Sequence, residues 1–136
     1  MILSNIKTIR IWGGLGNQLF QFALAKFLEK NFKYKVYFNI NSYNNEPNSR
    51  KFLLKDIMYN FDYEVVNFEE NYLYKLLNYK TENLYKHLIK NKFSLLPDIL
   101  IGYWQDQYFA RIIKSDDFNE DFFNQNNLNI EKDYYV

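Results

Sequence analysis

Three of the four glycines in this chain, Gly13, Gly14 and Gly16, fall together and are followed at once by Asn17 and Gln18. They lie between a β-branched run, Lys7 to Trp12, and the apolar segment Leu19 to Leu28. A strand, a glycine turn and a helix start in that order place backbone N–H groups and the positive end of a helix dipole where they can meet a phosphate. Gln21 stands at i,i+4 from Asn17, which puts the two amides on one helix face. Two accounts are open. In one, Asn17 caps the helix, Gln21 meets a loop carbonyl and the glycines make a tight turn. In the other, the amides and turn N–H groups face a charged leaving group or a sugar hydroxyl. A dinucleotide fingerprint would need a third glycine where Leu19 stands and an acidic ribose ligand where the chain has Asn39 and Asn41. A P-loop would need Gly-Lys-Ser/Thr, and Gly16 is followed by Asn17 and Gln18.

A second cluster is Gly102-Tyr103-Trp104-Gln105, with Tyr108 just beyond. Aromatic residues at a strand end pack in a core or rim. Alternatively, Trp104 and Tyr108 offer a face to the C–H surface of a sugar while Gln105 reads hydroxyls. Nucleophilic and metal chemistry are poorly supplied: there is no cysteine, His87 is the only histidine, and no DxDxDG run occurs. No Ser or carboxylate is spaced to make a triad with His87. Asp56, Asp62, Asp98 and Asp106 are available as proton acceptors, and sequence supplies no geometry to choose among them.

The elements that would position these residues are readable from pattern. Lys7–Trp12 reads as a strand, about Asn17 to Asn31 as a helix, and Lys35–Ile40 as a second strand, which together make a βαβ unit. A helix apolar on most sides must be covered on more than one face. Asn41–Arg50 reads as an exposed loop, Lys51–Phe61 as ambiguous, and Tyr63–Phe68 as a short strand. Glu69–Lys92 has helical spacing with a break near Asn78–Thr81, Pro97 ends that segment, and Ile99–Tyr103 reads as a short strand. A helix is expected over Gln105–Lys114, and Asp133–Val136 is β-prone.

The 136 residues are 48% hydrophobic and 24% charged, with a net charge of +1, so one domain over residues 1–136 with a packed core is expected. That near-neutral balance argues against a nucleic-acid partner. The absence of cysteine is compatible with a reducing cytoplasm, and neither a signal-peptide pattern nor a membrane-spanning run is present. Lys75, Lys80, Lys86, Lys90 and Lys92 form a basic stretch that reads as a solvated helix face, or as a contact for an anionic membrane surface.

The run from Ile11 to Ala23, Ile-Trp-Gly-Gly-Leu-Gly-Asn-Gln-Leu-Phe-Gln-Phe-Ala, resembles the GGLGNQ(L/M)FQ(Y/F)A signature of the bacterial α-1,2-fucosyltransferases, glycosyltransferase family 11. Leu100 to Gln105 with Tyr108 and Phe109 resembles that family's L-x-GYWQ-x-x-x-YF segment. Arg50 to Leu54 resembles its short R-K-F-x-L stretch. The resemblance implies an α/β fold, the Rossmann-like N-terminal half of a GT-B glycosyltransferase with a parallel sheet flanked by helices. It also implies inverting transfer of L-fucose from GDP-β-L-fucose to the 2-hydroxyl of a galactoside in surface-glycan or lipopolysaccharide assembly, without a metal or other cofactor.

On this resemblance Gly13, Gly14, Gly16, Asn17, Gln18 and Gln21 are expected near the donor diphosphate. Tyr103, Trp104, Gln105 and Tyr108 are expected on the acceptor side. The family's H-x-R-R-G-D motif is absent, and Arg10, Arg50 and Arg111 are all non-adjacent. The expectation is therefore a truncated N-terminal part, inactive alone or completed by a separately encoded second half. It would be cytoplasmic, with peripheral contact at the inner face of the membrane. The alternative is a non-catalytic sugar- or nucleotide-binding remnant.

Overall fold

The computed structural model describes residues 5–45, 51–59, 61–69, 82–92 and 96–121. Its centre is a parallel sheet built from β1 (Ile6–Arg10), β2 (Lys35–Asn39), β3 (Glu64–Val66) and β4 (Ile99–Leu100), in the order β3-β2-β1-β4. Ile6 is in register with Lys35, Tyr37 with Glu64, and Thr8 with Ile99. Helices flank this sheet: α1 (Leu15–Phe32), the short α2 (Leu54–Ile57), α3 (residues 82–90) and α4 (Gln107–Ala110). The fold is α/β, as the βαβ reading expects.

Helix α1 begins two residues before the sequence expectation, with Gly14 at the N-cap in extended conformation and no side-chain cap. Asn17 therefore does not cap it. The helix ends where Lys33 adopts a left-handed conformation and donates its N–H to Glu29 O. Leu19, Phe22, Ala23, Leu24, Ala25 and Leu28 are buried, since α1 is covered by β1 and β2, by α2 and by α4. That explains a helix with so little polar surface. Phe38 of β2 completes this core with Phe22, Phe61 and Tyr63.

Strand β1 reads as alternating in sequence, yet Lys7, Thr8 and Ile9 are all buried. A central strand of a parallel sheet is covered on both faces. The Lys7 ammonium is accommodated by donating to Leu96 O at 2.8 Å and to Asp98 Oδ1 at 3.1 Å.

The helix expected over Gln105–Lys114 is reduced to Gln107–Ala110. Asp106 is extended (φ −144°, ψ 122°) and caps α4 by accepting the Tyr108 N–H, so the helix begins only after it. The expected break near Asn78–Thr81 and the strand Asp133–Val136 lie outside the described residues. Among the described residues no helix is long and apolar enough to cross a membrane.

Candidate functional site

In a parallel sheet every strand delivers its following loop to the same edge. Here the chain runs β1 to β2 to β3 in one direction and returns to place β4 on the other side of β1. The loops after β1 and β4 therefore flank the topological switch point, where open α/β sheets form their ligand crevice. The first carries Gly13, Gly14, Gly16 and Asn17, and the second carries Gly102, Tyr103, Trp104 and Gln105. Two segments separated by most of the chain thus share one end of the sheet.

They are joined by direct contacts. Gln105 Nε2 donates to Asn17 Oδ1 at 2.6 Å, and the Trp12 and Tyr103 rings lie 4.4 Å apart. Trp12 Nε1 donates to Gly102 O at 3.1 Å. Arg10, at the end of β1, places its guanidinium 5.3 Å from the Trp12 ring.

The glycines serve different purposes. Gly13 has φ 82°, and a Cβ there would come within 2.6 Å of Asn17 Nδ2, so the turn itself demands glycine. A Cβ on Gly14 or Gly16 would meet nothing within 4 Å. The protein interior does not explain those two. Their open Cα faces, beside the first-turn N–H groups of α1, leave room for close approach of a ligand.

The two glutamines of the motif are structural. Gln18 is buried; its Nε2 donates to Gly13 O at 3.2 Å and to Lys51 O at 2.8 Å, and its Oε1 accepts from Leu53 N at 2.9 Å. It ties the glycine turn to the Lys51–Leu53 segment. Gln21 is fully buried and bridges the two loops, accepting from Trp12 N and donating to Trp12 O and Gly102 O. Both amides are buried and bonded to backbone groups instead of standing open at the helix mouth, and Gln21 meets loop carbonyls. Of the three amides, Asn17 is the one left at the crevice.

The acceptor-side group also divides. Trp104 has no exposed surface and packs in the core, so it offers no face to a sugar; burial of its large ring outweighs leaving Nε1 without a hydrogen-bond partner. Tyr108 is 42% exposed but packs on Phe27 of α1. Phe27 is ten residues beyond Asn17, roughly 15 Å along the helix axis. Tyr108 therefore stands apart from the crevice. Tyr103 and Gln105 are at it.

Sequence reasoning missed Glu82. Its carboxylate lies against Gly102, where a Cβ would collide with it, and accepts the Tyr103 N–H at 2.6 Å while pairing with Lys86 at 3.0 Å. Nothing in the local sequence marks a helical glutamate as the clamp of a distant loop. The carboxylates considered from sequence sit elsewhere: Asp98 pairs with Lys7, and Asp106 pairs with Lys90. Burial alone would raise the Asp106 carboxyl; hydrogen bonds from Lys90 and the Tyr108 N–H, with the charges of Lys90 and Lys86, prevail and hold it below its usual value.

A hollow of about 260 Å³ lies beside α1, lined by Glu29, Asp62, Asp116, Asp117, Lys26 and Tyr63 among others. The Tyr63 phenol there is pushed up by burial and by the carboxylates of Glu29, Asp62 and Asp117. So acidic a hollow disfavours a phosphate. Among the described residues no three His, Asp or Glu side chains group as a metal site.

Comparison with protein-family models, curated proteins and solved structures finds no match. Function is accordingly read from the motifs and from their meeting at the switch point of the sheet.

Proposed function

We propose that this chain supplies the glycine-turn part of a nucleotide-sugar site, and that the reaction served is fucosyl transfer from GDP-β-L-fucose to a galactoside 2-hydroxyl. The observation that carries this reading is the meeting of the two motif segments across the switch point, closed by the Asn17–Gln105 hydrogen bond. Each segment alone resembles part of the family 11 pattern, and the two are in direct contact at the switch point.

The chemistry assigns roles. Departure of GDP builds negative charge on the diphosphate, which needs preorganised donors. First-turn N–H groups of α1 and Asn17 Nδ2 supply neutral donors, and Gly14 and Gly16 admit the phosphates closely. Full neutralisation calls for guanidinium groups. With no H-x-R-R-G-D motif in the sequence, those come from a second polypeptide segment in this proposal, and the chain by itself binds without transferring. The non-catalytic binding reading is favoured for the isolated chain by the same lack of paired arginines. A cytoplasmic setting, where nucleotide sugars are made, belongs to this proposal as well.

Calorimetric titration of the chain with GDP-fucose, with GDP as control, tests it alongside a transfer assay to a β-galactoside. Weak binding of both ligands, abolished by Gly14→Val, and turnover only with a second-half polypeptide carrying the arginine motif, are the expected results. Undetectable binding in the presence of that polypeptide would refute the assignment.

A further inference from the structure

Helix α3 carries Glu82, Lys86 and Lys90 at i, i+4 and i+8, so the three charges line one ridge of the helix. That ridge grips the loop between β4 and α4 at two points. At one end the Glu82 carboxylate accepts the Tyr103 N–H at 2.6 Å, closes against Gly102 and is itself held by Lys86 at 3.0 Å. At the other end Lys90 pairs with Asp106, the N-cap of α4, and its ammonium lies 5.5 Å from the centre of the Tyr108 ring. From Glu82 to Lys90 the helix rises about 12 Å, and the chain from Tyr103 to Asp106 spans at most about 10 Å, so each clamp meets its own end of the segment.

Between the clamps stand Trp104 and Gln105. Trp104 has a left-handed backbone (φ 57°), uncommon for any side chain and strained for so bulky a one. Its ring is fully buried although Nε1 has no hydrogen-bond partner. A strained conformation persists only where its surroundings over-determine it, and here those surroundings include the two fixed flanks. The consequence appears one residue on. Trp104 enters the core while Gln105 emerges at the surface, where its Nε2 donates to Asn17 Oδ1 at 2.6 Å. With its oxygen engaged, Asn17 keeps Nδ2 as a donor at the glycine turn.

We infer that Glu82 and Lys90 are positioning residues: by gripping both flanks of Trp104 they hold its left-handed turn and so aim Gln105 at Asn17. They act on the glycine turn through the loop, from a different element. That this serves donor binding rests on the function proposed above; the aiming of Gln105 does not.

The side-chain NH2 signals of Asn17 in 15N-labelled full chain read the contact, and a GDP titration of the same samples reads its consequence. In Glu82→Ala, which frees the Tyr103 N–H, and in Lys90→Met, which frees Asp106 but keeps an unbranched apolar stem, the Asn17 signals should move toward the position they take in Gln105→Ala. Glu82→Gln retains an acceptor for Tyr103 N–H and should restore the wild-type position, and Leu84→Ala, at an exposed residue of the same helix, should not disturb it. GDP affinity should fall about fivefold in Glu82→Ala and Lys90→Met, the worth of one hydrogen bond, and return in Glu82→Gln. Lys90 is exposed, so Lys90→Met keeps the fold and carries the test should Glu82→Ala unfold. Asn17 signals unmoved in either folded variant overturn that residue's role, and signals moved as far by Glu82→Gln overturn the clamp on Tyr103. Displaced signals with no GDP response from the wild type sink the donor reading and leave the positioning standing. A wild type that binds GDP, with variants that bind it equally well despite displaced signals, overturns the link between this contact and the donor site.

Discussion

Gln18→Glu replaces one atom of a buried amide and should cost far more than its size suggests. The substituted side chain retains the oxygen that accepts from Leu53 N at 2.9 Å. It replaces Nε2, which donates to Gly13 O at 3.2 Å and Lys51 O at 2.8 Å, by an oxygen facing two carbonyls. Losing two hydrogen bonds costs about 2 kcal/mol, and burying a carboxylate against those carbonyls raises the total to about 3–4 kcal/mol at pH 7. For a chain of this length that lowers Tm by about 10 °C. Protonation restores one donor, so the folded-state pKa of the introduced carboxyl must lie above its unfolded value. Stability gained from protonation is then fully present below that unfolded value, roughly pH 4.3, and is lost as pH rises through the folded pKa. Thermal unfolding followed by circular dichroism from pH 3.5 to 7.5, variant minus wild type, reads this directly. A deficit below about 1 kcal/mol at pH 7, or one that does not shrink on acidification, would refute the role given to Gln18.

Gly13→Ala should destabilise by about 1–2 kcal/mol, because φ is 82° and the new Cβ drives against Asn17 Nδ2, whereas Gly14→Ala, with φ −78° and open space, should cost under about 0.5 kcal/mol; chemical denaturation of both variants measures the contrast. Asp106→Asn keeps the cap on Tyr108 N but removes the charge facing Lys90. Its place at the surface, with Lys90 still 37% exposed, limits the loss to about 1 kcal/mol at pH 7. Because the Asp106 pKa is lowered in the fold, that contribution is present above the unfolded carboxyl value and disappears as pH falls through the folded one. Melting curves of wild type and variant should therefore converge once the pH has fallen below the ordinary carboxyl range and through the lowered Asp106 value.

The sheet was legible where pattern and punctuation agreed. Glycine between a β-branched run and a long apolar run announced strand, turn and helix, and the crossover length implied the parallel pairing found for β1 and β2. Boundaries were less legible: α1 starts on the glycine side of Asn17 because Gly14 itself serves as N-cap, and α4 starts late because Asp106, extended, serves as its N-cap.

The order of residues along the chain was enough to establish which types could act: a glycine turn opening a helix, amides beside it, aromatics at a strand end, and no thiol or paired arginine. Which of them face outward depended on packing. Gln18 and Gln21 share a motif with Asn17, but the buried backbone of two neighbouring loops needed donors and acceptors, and their amides satisfy it. Trp104 and Tyr103 are adjacent, yet one fills the core and the other borders the crevice. The Asn17–Gln105 contact arises because a parallel sheet sends every strand's exit to one edge, a consequence of strand order that no local pattern contains.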